Sequence, residues 1–76
     1  MKERDFVEKI KITSEYITLG QLLKLTRLAY SGGIVKAFLE EHKISVNDVE
    51  DKRRGKKLYP GDKVSIKSVG EYRIVK

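Results

Sequence analysis

Apolar residues recur along this chain with two periods, and the spacing passes from strand-like to helix-like and back again. Phe6-Val7-Glu8-Lys9-Ile10-Lys11-Ile12 ends in strict alternation, with Ile10 and Ile12 on one face and Lys9 and Lys11 on the other. A period of two predicts a half-buried strand. Ser14-Glu15 reads as a turn. From Thr18 the period becomes 3.6, with Leu19, Leu22, Leu23 and Thr26 at i, i+3, i+4 and i+7, and Leu25, Leu28 and Ala29 widening the stripe. Thr18 and Gln21 have the Thr-x-x-Gln spacing of a capping box. The pattern predicts a helix from Thr18 to near Tyr30, with Lys24 and Arg27 on its wetter face.

Ser31-Gly32-Gly33 interrupts that helix, and Ser31 is a good N-cap for another. Val35, Phe38, Leu39 and His42 repeat the i, i+3, i+4, i+7 spacing, Ile34 and Ala37 broaden it, and Lys36 and Glu40 point away. The second helix should finish near His42-Lys43. The period then returns to two. Ile44-Ser45-Val46 and Val49-Glu50-Asp51 flank Asn47-Asp48, residues suited to the positive φ angles of a tight hairpin. Tyr59-Pro60-Gly61-Asp62 fits a type II turn. Val64, Ile66 and Ser68 alternate with Lys63 and Lys67 as a strand, Gly70 breaks it, and Tyr72-Arg73-Ile74-Val75 forms a short last strand. The predicted order is a strand, two helices, then three or four strands. That is an α+β fold, a two-helix pair packed on a small, mostly antiparallel sheet with N- and C-terminal strands, forming a single domain over residues 1–76.

Composition narrows the function classes. At 76 residues the core is only just sufficient for a fold, and 37% charged residues keep it thin. With no cysteine and one histidine, neither a disulfide framework nor a zinc ligand set can be assembled. No apolar run approaches the roughly 20 residues of a membrane span, and no signal-peptide pattern opens the chain, so a cytoplasmic protein is expected. Catalysis finds no support. His42 reads as a helix-end residue, and the adjacent Glu40 and Glu41 point about 100° apart on a helix, so they cannot form a paired-carboxylate site.

Charge is distributed unevenly. Residues 1–51 carry eight Lys/Arg against nine Asp/Glu, a balance of −1, and residues 52–76 carry nine against two, a balance of +7. Five of the six residues in Lys52-Arg53-Arg54-Gly55-Lys56-Lys57 are basic. A one-sided field raises the local concentration of polyanions at one surface. The alternative reading is a solvated charge run on a loop. Arg adds bidentate geometry toward phosphate, and Gly55 allows a sharp turn or a close approach. The Gly32-Gly33 pair leaves backbone N–H groups uncovered at a helix start, where the helix dipole favours an anion, and Lys36 lies one turn in. It is no P-loop, since the Gly-Lys-Ser/Thr ending is absent. Tyr30 and Tyr59 are candidates for stacking on an exposed base.

The ordered series Thr18-Leu19-x-x-Leu22-Leu23, Ser31-x-x-x-x-Lys36-Ala37-x-Leu39, Ile44-x-Val46-Asn47 and Pro60-Gly61-Asp62-x-Val64 resembles the S4 domain, the alpha-L RNA-binding motif. The resemblance covers about residues 17–67 and is nearest to short stand-alone bacterial members. It implies an RNA-facing surface built from both helices and the loop and strands that follow. Ser31 and Lys36 match the second-helix signature, and Asn47 matches the Val-Asn-Gly hairpin. Four positions depart from the family: Thr18 and Gly32 stand where arginines are usual, Gly20 where Asp is usual, and Asp48 where Gly is usual. Two phosphate-binding arginines are therefore absent from the helices, and the weight shifts to Lys52–Lys57.

The expected function is a non-catalytic RNA-binding module that recognises structured RNA, ribosomal or tRNA-like, through its phosphate backbone and shape. The expected binding residues are Lys24, Arg27, Ser31, Gly32, Gly33, Lys36, Asn47, Lys52, Arg53, Arg54, Lys56 and Lys57. A monomer without cofactor, metal, membrane or small-molecule partner is expected. The competing reading is a DNA-associated or protein-adaptor domain using the same basic patch.

Overall fold

A computed structural model describes residues 7–76, so the start of the first predicted strand at Phe6 lies outside the described residues. Element order is β1 (Val7–Lys11), β2 (Ile17–Thr18), α1 (Leu19–Leu25), α2 (Gly32–Glu41), β3 (Ile44–Val46), β4 (Val49–Glu50), β5 (Lys57–Leu58), β6 (Lys63–Ile66) and β7 (Gly70–Val75). Five strands form one sheet in the order β1-β7-β6-β3-β4, and β2 and β5 pair separately. Only β1 and β7 run parallel; every other pair is antiparallel. The mixed sheet with two helices is the α+β fold that the periodicity predicts.

Alternation decides which sheet face is buried. Ile44, Val46, Val64, Ile66, Tyr72 and Ile74 point inward and meet Leu19, Leu22, Leu23, Ala29, Val35 and Leu39 from the helical layer, with Ile12, Ile17 and Leu58 completing the cluster. Ile10 packs against this core, while Lys9 and Lys11 stay exposed.

The first helix is shorter than its periodicity suggests. It ends at Leu25, five residues before Tyr30, because Arg27 turns left-handed at φ 63°. The Arg27 N–H donates to the Lys24 carbonyl, and the Leu28 N–H reaches back to the Leu23 carbonyl at 3.0 Å. Those two bonds make a Schellman ending, here with arginine at the position glycine usually fills. The Thr26 hydroxyl also donates to the Leu22 carbonyl, at 2.9 Å, and occupies an acceptor of the last turn. The stripe is correspondingly narrower. Leu25 is 59% exposed, and Ala29 reaches the core from the loop rather than from the helix. On α2 only Val35 and Leu39 are buried; Ile34 and Ala37 face solvent because the core contacts a single row of that helix. The two caps form as the sequence predicts. The Thr18 hydroxyl accepts from the Gln21 N–H, the Gln21 side chain accepts from the Thr18 N–H, and the Ser31 hydroxyl accepts from the Ile34 N–H.

Both turns take their predicted forms. Asn47 and Asp48 lie at φ 52° and 71°, the left-handed pair of a type I′ hairpin, and Gly61 at φ 100° supplies the left-handed position of the Tyr59–Asp62 turn. The final strand differs in two details. Ser68 does not extend β6, since it too is left-handed (φ 69°) in a turn, and β6 ends at Ile66, so Gly70 opens β7 rather than breaking β6. The two turns are tied together through Asn47. Its amide Nδ2 donates to Asp62 Oδ1 at 3.1 Å, its Oδ1 accepts from the Lys63 N–H at 3.0 Å, and Asp62 Oδ2 accepts from the Tyr59 N–H at 2.8 Å. Replacing Asn47 with Ala removes two side-chain hydrogen bonds and strains a left-handed residue. The expected loss of stability is about 2–3 kcal/mol, read as a lower urea midpoint with an unchanged m-value.

Candidate nucleic-acid interface

The basic segment is held down by its own backbone. The first N–H of α1, on Leu19, donates to the Lys56 carbonyl at 2.9 Å, and the second, on Gly20, donates to the Arg54 carbonyl at 2.9 Å. With Thr18 receiving the third, the exposed donors of this helix start are satisfied. The loop then enters β5, where Thr18 pairs with Lys57 and Ile17 with the fully buried Leu58. Gly20 permits the close approach. A Cβ there would lie 3.3 Å from the Arg54 carbonyl oxygen, 3.5 Å from the Arg54 Cβ and 3.8 Å from Val35.

An acidic residue shapes the other end of the loop. The Asp51 carboxylate accepts from the Arg53 backbone N–H, from Arg53 Nε at 3.0 Å and from Arg53 Nη2 at 2.8 Å. The Asp51 side chain is 13% exposed and that of Arg53 is 73% exposed. The Arg53 side-chain hydrogen bonds, helped by its backbone N–H and the nearby Lys56 charge and opposed by partial burial, lower the Asp51 pKa from 3.8 to about 2. The same pairing raises that of Arg53. Arg53 therefore carries a charge already balanced within the loop.

Arg54 is placed differently. It crosses to α2, where its Nη1 lies 3.5 Å from the Gly32 carbonyl, the far limit of a hydrogen bond. It is also 3.5 Å from where a Gly32 Cβ would stand. Lys24, Gln21, Gly32, Arg54 and Gly55 line one open groove between α1, the start of α2 and the loop. Ser31 and Gly33 adjoin it, and no described residue accepts from the N–H of Gly32 or Gly33. Lys36 is exposed on the first turn and a half of α2. Among the described residues no ion pair engages Lys24, Arg27, Lys36, Lys52, Arg54, Lys56 or Lys57.

The remaining predicted site residues are scattered. Arg27 sits at the α1 terminus, Lys52 is exposed near the loop entrance, and Lys56 is half-buried. Lys57 directs its ammonium over the Tyr16 ring, 4.9 Å from the centroid, and Tyr16 in turn contacts Tyr59 at 5.6 Å. The Asn47 side chain is committed to Asp62 and Lys63 and acts as a pin between turns. Sequence reasoning overlooked Asp51 as a partner for Arg53, although the two-residue spacing was visible. It also noted Gly20 only as a departure, without its role as a seat for the loop. His42 caps α2, with Nδ1 3.2 Å from the Phe38 carbonyl and its ring stacked on Phe38 at 3.9 Å. Among the described residues no cluster of three or more His, Cys, Asp or Glu could hold a metal ion, and no helix is long and apolar enough to cross a membrane.

With two helices on a mixed sheet and a basic loop seated on the first of them, the chain belongs to the S4 domain family, whose pattern matches residues 10–75. It is 53% identical over 66 residues to a Bacillus subtilis (strain 168) protein called probable ribosome maturation protein RlbA, an alignment covering 87% of this chain and 93% of that protein. No solved structure gives a significant match.

The Asp51 clamp has a pH signature. A carboxylate whose folded pKa is depressed contributes stability that is complete above the unfolded value and disappears as pH falls through the folded one. Relative to Asp51→Asn, the native protein should melt at a higher temperature by a constant margin above about pH 4. That margin should close as pH falls toward about 2, as read in paired thermal melts.

Proposed function

We propose that this chain is a non-catalytic RNA-binding protein that grips structured RNA by its phosphate backbone and shape, with ribosomal or ribosome-associated RNA as its target. One observation carries the reading: Lys24, Arg54 and Gly32, the first residue of α2, line one open groove, with no acidic partner for either cation among the described residues. Phosphate oxygens fit such a lining, since it offers point charge, a planar guanidinium fork and helix-terminal donors side by side. Lys36, Lys52 and Lys56 extend the same positive surface.

Arg54 also answers the loss of a helical arginine. The family resemblance places an arginine at position 32, where this chain has Gly32. Arg54 Nη1 lies 3.5 Å from where a Gly32 Cβ would stand, so the loop brings a guanidinium beside the position where the helix lacks one. Arg53 stabilises the loop through Asp51, and Asn47 holds the hairpin. The ribosomal assignment rests on the likeness to the ribosome maturation protein of Bacillus subtilis. Backbone recognition suits double-stranded RNA, whose deep, narrow major groove hides its base edges.

Neutralising about five phosphates should make log affinity fall with log salt at a slope of roughly −3.5 to −4.5. The double variant K24Q/R54Q should flatten that slope by about 1.5, measured by fluorescence anisotropy with a structured RNA. A salt-independent signal would sink the proposal. Equal displacement by RNA, duplex DNA and heparin would point to the adaptor reading.

A further inference from the structure

The sheet has a second basic surface on the face turned away from the helices. Strand register aligns Lys9 on β1, Arg73 on β7 and Lys63 on β6 directly across from one another. Their neighbours Ile10, Ile74, Tyr72 and Val64 face the core, so these three side chains project to the outer face. Adjacent strands lie about 4.8 Å apart, giving a row of three cations about 10 Å long. Lys11 lies two residues beyond Lys9 on the same face.

Like charges directly opposite on neighbouring strands destabilise a sheet. The compensation present is slight. Lys63 meets Asp48 at 3.5 Å and Arg73 meets Glu71 at 3.6 Å, both long and each with one exposed partner, and no ion pair engages Lys9 among the described residues. Beside the row the outer face is concave. Ser45, Ser65 and Ser68 line the hollow with Lys43, Lys63 and Lys67, and Asp48 and Glu71 are its acidic members. Glu50, opposite Ser45, is the other anion nearby. Hydroxyls and lysines around a shallow depression suit a sugar-phosphate backbone, because the hydroxyls donate to phosphate oxygens while the ammonium groups supply charge.

We propose that this outer sheet face is a second phosphate-backbone surface, so that one protein molecule holds two RNA segments, one on the helix-and-loop groove and one on the sheet. The inference rests on the RNA-binding reading of the groove. At 22 Å along its thinnest axis, the protein is thin enough to bring two RNA segments close together.

The test uses the full chain with two samples of one short blunt RNA duplex, carrying donor and acceptor dyes, at physiological salt. The native protein should bind two duplexes per molecule by sedimentation and produce energy transfer between them. K9Q/K63Q/R73Q should bind one and lose the transfer. K9Q/K11Q, confined to exposed side chains of the edge strand β1, should show an intermediate loss and guards against misfolding of the triple variant. One duplex per native molecule, or transfer that survives the triple variant, overturns the second surface. If K24Q/R54Q keeps both duplexes while the triple variant keeps one, the sheet surface stands and the groove assignment fails. Loss of transfer in the triple variant that is matched by an unfolded circular dichroism spectrum in both sheet variants also overturns it, because the row would then serve the fold.

Discussion

Two backbone hydrogen bonds, from Leu19 to the Lys56 carbonyl and from Gly20 to the Arg54 carbonyl, organise the surface of this protein. A helix start always presents donors without intrahelical partners, and burying them unpaired is costly. Here a loop rich in cations takes up two of them. The loop backbone is thus held without help from most of its charges, and among the described residues Lys52, Arg54, Lys56 and Lys57 form no ion pair. Leu58, fully buried, anchors the end of the loop in the core, and the pairing of β2 with β5 continues the seam. Without the seam Arg54 would have no fixed position relative to Gly32, and the groove would have no wall.

Glycine at position 20 follows from that constraint. A side chain there would press on a backbone carbonyl that cannot swing aside as a flexible side chain can. Even in the first turn of a helix, glycine costs conformational entropy relative to alanine. The close approach of the loop offsets that cost by letting the Gly20 N–H and the Arg54 carbonyl meet.

Concentrating positive charge has its own cost, and the acidic residues are placed to limit it. Asp51 neutralises Arg53 through three donors, while Arg54 one residue later forms no ion pair among the described residues. Two neighbouring arginines therefore have opposite jobs: one braces the loop and one faces the groove. On the sheet, Asp48 and Glu71 moderate the cation row at greater distance, where such long, partly exposed pairs contribute little.

Local chemistry was enough to determine the elements of this protein. The capping box at Thr18, the N-cap at Ser31, the left-handed pair Asn47-Asp48 and the glycine of the Tyr59–Asp62 turn depend on a few neighbouring residues, so a one-dimensional pattern contains them. The uneven charge and the family resemblance were visible for the same reason. Tertiary structure alone decided the rest. Leu25 and Ile34 fit the apolar period yet lie in solvent, since periodicity counts residues without knowing which row a partner covers. Helix α1 stops where Arg27 turns left-handed, and no local rule favours arginine there. The parallel pairing of β1 with β7, the Asp51–Arg53 clamp and the meeting of Arg54 with Gly32 join positions through the path of the folded chain. These contacts depend on backbone geometry accumulated over the whole domain, and a pattern read a few residues at a time carries no measure of it.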